Sequence, residues 1–523
     1  MKKITFIITG VVLALTSQAQ GIYNDGAHIV CDAGTYWVLD NGNFTLTSQS
    51  ATNPATMANL TINTDASLSI EPQSFLTVNG TLTNASGTDG LIIQSTLLGS
   101  GSLIHNTENV PATEQRFIGA ETWNLISSPF HQCSGATAGD LSPSGGNAYL
   151  RPYTDGTGWG DYIVPTEYQL IPLQGYATWL TLSKTLSFSG SLLNGTLNRP
   201  LINGTNNWNL VGNPYPSSLD WELVDRANTS SSIYFWNNTY AGTNSGNYMT
   251  YNATGHVGVP TGTTSIIPSF QGFFVEALSA GASITFNNNS RLHSNQSFYK
   301  DYTEQSQVLV RLKITDALNR FDEILICSNP DANNDFDDFD SRKLSAGSDA
   351  PEICSMAQNE QLVINTVQAL PVIIPVKIKV SQAGTFIIKA FGLLPDINTS
   401  IKLEDTQMGI ITDLRSHAEN FLSLSQGENS NRFYLHLGNS NSINELENNT
   451  FFTIVRNNQI YVYTAENQTI NQVSLYDITG REIAIQRCGS ACCLINTVNV
   501  SKGVYIIKAM IGKESVTKKV SIN

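Results

Sequence analysis

The densest set of carboxylates in the chain is Asp331-Ala332-Asn333-Asn334-Asp335-Phe336-Asp337-Asp338-Phe339-Asp340. Asp331, Asn333 and Asp335 alternate as the first ligands of a calcium loop do. Phe336 stands where that loop needs its turn glycine, and Arg342 stands where its bidentate carboxylate closes the site. A solvated acidic loop is therefore expected, and no metal. The seven histidines, His28, His105, His131, His256, His293, His417 and His436, form no HExxH pair and none lies near a G-x-S-x-G elbow. His131 and Cys133 are two residues apart, without a nearby base and orienting group. Paired carboxylates for sugar hydrolysis converge only in three dimensions, so no catalytic residue, enzymatic activity or cofactor is assigned. Among the seven cysteines, Cys327 and Cys354 are candidates for a disulfide, and Cys488 has Cys492 or Cys493 within reach. An odd count leaves at least one thiol free or paired with another chain. Cys488–Cys493 lacks the second ligand pair and the histidine of a zinc site.

Aromatic residues are the better lead to a ligand. Trp159, Trp179, Trp221, Tyr234, Phe235 and Trp236 crowd one segment. An exposed aromatic ring beside Asn or Asp can stack on a sugar while the polar neighbours bond its hydroxyls. Trp159 and Trp236, flanked by Gly, Asn and Asp, are the candidate ligand-binding aromatics. Trp123 and Trp208 lie in a repeated tract and read as core.

The elements that position these residues follow from composition. Of 523 residues, 13% are charged and 41% hydrophobic, and the polar remainder is mostly Asn, Ser, Thr and Gly. Such a chain is poor in the residues that clothe helices and rich in those of short strands and tight turns. The expected fold class is all-β, in three or four domains. The net charge of −14 disfavours nucleic acid as a partner, which would demand a basic stripe. Residues 1–19 combine Lys2 and Lys3, an apolar core from Ile4 to Leu15 and the small-x-small site Ser17-Gln18-Ala19, the pattern of a secretory signal peptide. Its removal takes the net charge to −16. No later stretch reaches the 18 or so apolar residues of a membrane span, so no transmembrane segment is expected after signal removal.

Residues 20–112 read as rungs of a parallel β-solenoid. Leu60-x-Ile62, Leu68-x-Ile70, Leu76-x-Val78, Leu82, Ile92, Leu97 and Leu103 alternate with polar residues and turns. Leu60 to Leu82 is 22 residues, while Leu76 to Leu97 and Leu82 to Leu103 are each 21, lengths that suit one coil. Leu60 and Leu82 should then lie on adjacent rungs. Residues 113–300 contain a duplication, with copies at about 115–198 and 199–300. Trp123-Asn124-Leu125-Ile126 matches Trp208-Asn209-Leu210-Val211 at an offset of 85, which Tyr149 and Tyr234 share. Gln174-Gly175-Tyr176-Ala177 matches Gln271-Gly272-Phe273-Phe274 at 97, and Leu186-Ser187-Phe188 matches Ile284-Thr285-Phe286 at 98. An insertion of 12 between Tyr234 and Gln271 accounts for the difference. Residues 301–438 carry the strand spacing of a β-sandwich, 439–450 a polar linker, and 451–523 a small basic unit of net +4 behind a body (20–450) of net −20.

That last unit reads strand, Asp-x-x-Gly turn, strand over Val473 to Ile483, then a strand from Gly503 and a final strand at Lys518 to Ile522. Tyr476-Asp477, Gly480-Arg481, Gly503-Val504-Tyr505 and Lys518-Lys519, in this order, resemble the C-terminal sorting domain of the type IX secretion system of Bacteroidetes. The Cys488–Cys493 insertion departs from the usual pattern. The resemblance implies an Ig-like sandwich, Sec export to the periplasm, engagement of the type IX machinery and delivery to the cell surface or the medium, where the domain is typically cleaved. The tract Trp208 to Pro216 is similar to one recurring in large Bacteroidetes surface proteins. Phe339-Asp340, Arg342-Lys343-Leu344, Leu403-Glu404-Asp405 and Arg432-Phe433 are similar to their membrane-distal sandwich domains. The expected role is adhesion or binding of an extracellular glycan or protein. An exported glycan hydrolase and a structural matrix component are the rival classes.

Overall fold

The computed structural model describes residues 36–47, 50–131, 149–163, 170–242, 246–294, 307–394, 399–438, 451–456, 459–464, 469–490, 492–498, 500–512 and 514–522. The expected signal peptide, His28, Cys31, Cys133 and the expected 439–450 linker lie outside them. The described chain is all-β; strands and three short 3₁₀ turns are its only regular elements.

Parallel ladders make the first part a solenoid. Tyr36–Leu46 pairs with Asn59–Ile70, which pairs in turn with Leu82–Asn84 and Leu91–Ile93. A second ladder stacks Ala55–Met57, Phe75–Val78 and Ser102–His105. Leu60 faces Leu82 in parallel register, on the adjacent rung. The alternation works as side-chain geometry requires. Leu60, Ile62, Leu68 and Ile70 point into one core with Leu76, Val78, Leu91 and Leu103, and all are almost wholly buried. The coils are unequal, however. Leu76 pairs with Leu103 and not with a residue near Leu97. Leu97 and Leu98 instead tip a small hairpin between Ser95–Thr96 and Gly99–Ser100, and Leu97 is 73% exposed. The extra loop lengthens that coil, which simple leucine spacing does not register.

The solenoid runs directly into the duplicated region. Pro111–Ile118 pairs in parallel with Leu91–Ile93 on one edge and antiparallel with Lys184–Ser191 on the other. The open edge of the last rung, a template for unwanted pairing, is thus covered by a strand of the first copy.

The two copies share one topology. Trp123–Ile126 pairs with Tyr176–Trp179, which pairs with Leu150–Thr154, which pairs with Gly158–Trp159. Trp208–Gly212 pairs with Gly272–Glu276, which pairs with Ser232–Asn237, which pairs with Asn247–Asn252. Register is conserved to the residue: Ile126 faces Tyr176 as Val211 faces Phe273, and Trp123 faces Trp179 as Trp208 faces Glu276. Tyr149 and Tyr234 are not counterparts. Tyr234 faces Phe274, whereas the residue facing the equivalent Ala177 is Arg151. In the second copy the hairpin is longer, and the strand Val257–Val259 follows it.

A reciprocal clasp joins the copies. Ile171 to Gln174 and Pro268 to Gln271 are matching turns, each closed by a glutamine N–H to the carbonyl three residues back at 3.3 Å. Each places a bulky residue in the left-handed region, Leu173 at φ 64° and Phe270 at φ 62°. Type II turns ask for glycine or asparagine there, so each exception costs about 1–2 kcal/mol. The Leu173 carbonyl accepts from Gly212 N at 3.2 Å, and the Phe270 carbonyl accepts from Ser127 N at 3.0 Å. Gln174 Nε2 donates to the Leu210 carbonyl (3.4 Å), and Gln271 Nε2 to the Leu125 carbonyl (3.2 Å). The side chains also cross over. Phe270 packs on Phe188 in the solenoid-side core, 4.6 Å between ring centres, while Leu173 packs against the core of the second copy. Gly212 fits this crossing because a Cβ there would lie 1.9 Å from the Ser127 Cβ.

Beyond the second copy, one continuous sheet of eleven strands curls on itself to form the sandwich region. Residues far apart in its order, such as Leu312, Ile324, Val376 and Phe433, share a core. It also contributes Leu325, Cys327, Val363 and Ile364 to the aromatic core of the second copy. The terminal unit is a small two-sheet sandwich around Val473, Leu475, Ile507 and Ala509.

Where the solenoid meets the copies, Glu114 and Arg116 are both buried on the shared strand. Glu114 Oε1 accepts from Ser269 Oγ at 2.6 Å, and Arg116 Nη1 donates to the Ser269 carbonyl at 3.3 Å. Burial pushes the Glu114 carboxyl up to about 8. A folded-state value above the unfolded one means that the native state holds this proton where the unfolded chain has released it. Its contribution is therefore complete in acid and declines as pH climbs from the ordinary carboxylate range through about 8, by about 1.4 kcal/mol per pH unit at most. Melting curves from pH 5 to 9 should show wild-type protein losing stability more steeply than Glu114→Gln. Parallel curves would contradict this account of the junction.

Candidate glycan-binding face and the sorting domain

The first copy's four-stranded sheet carries an aromatic face. Side chains two apart on a strand share a face, and cross-strand neighbours meet. Trp123 lies opposite Trp179, and Tyr149 completes that row, since its carbonyl accepts from Trp179 N at 3.1 Å. Tyr149 meets Trp179 edge-on at 5.3 Å and Tyr162 edge-on at 5.7 Å, and Trp123 stacks on Tyr162 at 6.5 Å and 15°. Arg151, two residues along, extends over Tyr162 at 5.1 Å and Trp159 at 5.7 Å, with its Nε held by the Gly160 carbonyl. Trp159 rests edge-on against Tyr153 at 5.2 Å. Tyr149 is 37% exposed, Trp159 39% and Tyr162 39%. The result is a fixed, solvent-facing row of amphipathic rings with a guanidinium lodged among them, which suits a ligand with both apolar faces and hydroxyls.

Of the two tryptophans singled out by their neighbours in sequence, Trp159 belongs to this face. Trp236 packs instead against the aromatic core, edge-on to Tyr248 at 5.2 Å, with Nε1 donating to Asn238 Oδ1 at 2.7 Å. Trp123 and Trp208, read as core from the repeat, are each only partly buried. Tyr149, Arg151 and Tyr162 escaped sequence reasoning, although the alternation Tyr149-x-Arg151-x-Tyr153 was a signal.

The acidic run serves its own loop. Asp337 accepts from the backbone N–H of Asn333 and of Phe339, and Asp340 from those of Thr366 and Asp337. Carbonyls of Asp338 and Asp340 accept from Asn252 Nδ2, which fastens the loop to the second copy. Cys327 and Cys354 are buried thiols that are not bonded to each other. The strand Glu360–Val367 lies between theirs, and two strand spacings, about 9–10 Å, exceed the Cα separation of roughly 7 Å that a disulfide spans. Cys488 is bonded to Cys493.

In the terminal sandwich, Asp477 organises the Asp-x-x-Gly turn. Its carboxylate accepts from Thr479 N (2.9 Å), Thr479 Oγ1 (2.6 Å), Arg481 N (3.0 Å) and Arg481 Nε (3.1 Å). Gly480 sits at φ 85°, where a glycine is wanted. Tyr476 OH donates to Glu482 across the hairpin at 3.0 Å, and Tyr505 OH to the Ser501 carbonyl at 2.7 Å. Gly503 and Val504 open the strand that pairs with the last one, and Lys518 and Lys519 lie on that last, edge strand.

Comparison with known families matches residues 32–437 to a domain of unknown function, DUF8693. The chain belongs to this family. Residues 456–523 match the secretion system C-terminal sorting domain. No curated protein matches the chain. The protein is thus a DUF8693 body followed by a type IX sorting domain, and it is exported to the cell surface or extracellular space. Among the described residues no helix is long and apolar enough to cross a membrane.

Hydrogen bonds from Thr479, then from Arg481, hold the Asp477 carboxyl down to about 2. A depressed value means that the turn's contribution is present above the usual carboxylate range and lost as pH falls through about 2. At neutral pH Asp477→Ala should open the turn and leave more of the protein in the periplasm of a type IX-competent host, with Asp477→Asn intermediate. Surface and periplasmic fractions measure this. Wild-type delivery by Asp477→Ala would show that the turn is not needed for recognition.

Proposed function

We propose that this protein is a type IX-exported binding protein of the cell surface or extracellular space, and that the aromatic face of its first copy captures glycan. In this reading the solenoid (20–112), the duplicated region (113–300) and the sandwich (301–438) form the cargo, and 451–523 is the address. The single observation that carries it is the exposed row of Tyr149, Tyr162 and Trp159 with Arg151 among the rings. Rings already packed against one another lose little conformational freedom on binding, so most of the contact energy is retained. Sugar C–H faces would lie on the rings, and hydroxyls would find the Arg151 guanidinium and the polar loops beside it.

The test is binding of the full mature chain to a glycan array, followed by titration of the hits. Trp159→Ala combined with Tyr162→Ala should lower affinity at least tenfold, or about 1.4 kcal/mol, without a change in melting temperature larger than a few degrees. Unaltered affinity in the double variant, or no glycan bound by the wild type, would overturn the reading.

A further inference from the structure

The duplication places a tryptophan at the same register position in both copies, and the second has a setting of its own. Trp208 opens onto a cleft of about 610 Å³ between the second copy and the sandwich sheet, lined also by Phe336, Glu276, Arg342, Glu360 and Gln361. Its volume falls in the range, roughly 300–1,000 Å³, of small-molecule sites, which favour such junctions. Across the ladder from Trp208 stands Glu276, where the first copy has Trp179. The aromatic face has therefore become, in the second copy, one indole beside a charged cluster.

The cluster is tightly committed. Arg342 Nη1 donates to both oxygens of Glu276 at 3.0 and 3.1 Å, and its Nε donates to Glu360 Oε2 at 2.8 Å. The guanidinium also lies 3.8 Å from the centre of the Phe336 ring. Lys343, the other nearby cation, is buried and paired with Asp322 at 2.6 Å. Two carboxylates thus share one guanidinium, and the second cation is neutralised from beneath. An anionic ligand would meet two carboxylates and no uncommitted cation in this cluster. What the cluster offers is carboxylate oxygens and side-chain amides such as those of Gln361 and Asn359, beside an indole. Hydroxyl groups, which both donate and accept, match that mixture, and a sugar ring matches the indole.

We propose that this cleft is a second saccharide site, selective for neutral sugar residues over uronates and sulfated sugars. It stands on the cleft alone and not on the aromatic face of the first copy. The probes are neutral oligosaccharides of the glucan, mannan, xylan and chitin types, with oligogalacturonate and sulfated galactan as anionic counterparts, titrated into the full mature chain by calorimetry. At least one neutral oligosaccharide should bind more tightly than either anionic probe. Glu360→Ala and Gln361→Ala, both at the accessible rim, should each weaken that binding at least fivefold with melting unchanged. Trp159→Ala with Tyr162→Ala should leave this binding in place, which separates the two sites. The proposal is overturned if no neutral probe binds, if an anionic probe binds more tightly, or if both rim variants bind as the wild type does. Loss of all binding in the Trp159 and Tyr162 variant alone would also overturn it, while supporting the first site.

Discussion

The two copies of the duplicated region are held by a pair of identical exchanges, and the remaining architecture hangs on them. Each copy presents a turn with a left-handed, bulky residue, Leu173 or Phe270, whose carbonyl caps an N–H of the other copy. Each follows with a glutamine whose amide reaches a carbonyl of the other copy's Trp-Asn-Leu strand. A backbone conformation that disfavours both residues is maintained because their side chains pack across the boundary, Phe270 wholly buried and Leu173 partly so. Gly212 admits the close approach, and the Cβ of any other residue there would displace Ser127. The clasp therefore depends on exact shape as well as on hydrogen bonds.

From this centre the rest can be followed outward. The first copy supplies the strand that closes the solenoid's last rung, and Phe270 of the second copy enters the same core. The second copy shares its aromatic core with the sandwich sheet and receives the acidic loop through Asn252. Solenoid and sandwich are thus held through the paired copies. The same pairing decides which aromatic residues meet solvent. The first copy's outer sheet stays open as a row of rings, while the second copy's sheet is largely covered and leaves Trp208 at a cleft. Duplication supplied two tryptophans in one register, and unequal covering gave them different surroundings.

Much of this was legible in the sequence for a physical reason. Period-two alternation reports which face of a strand is buried, so the solenoid and its Leu60–Leu82 pairing could be read directly. The Trp-Asn-Leu and Gln-Gly tracts repeat because they make the clasp itself. What could not be read depends on connections between distant strands. The hairpin at Leu97 and Leu98 lengthens a coil without changing the alternation. Cys327 and Cys354 are kept apart by a strand that follows both in the chain. Equal sequence offset paired Tyr149 with Tyr234, yet the ladder pairs Arg151 with the position of Tyr234. That shift by two hid Arg151, the cation set among the rings of the aromatic face.

The central claim is that the two copies fold as one interlocked unit, and hydrogen exchange on the full chain tests it most directly. Removing the Gln271 amide by Gln271→Ala should speed exchange in the 123–127 and 208–213 segments together, and at the 171–176 turn of the first copy as well. Faster exchange confined to the 268–276 segment, with the first copy unaffected, would contradict it.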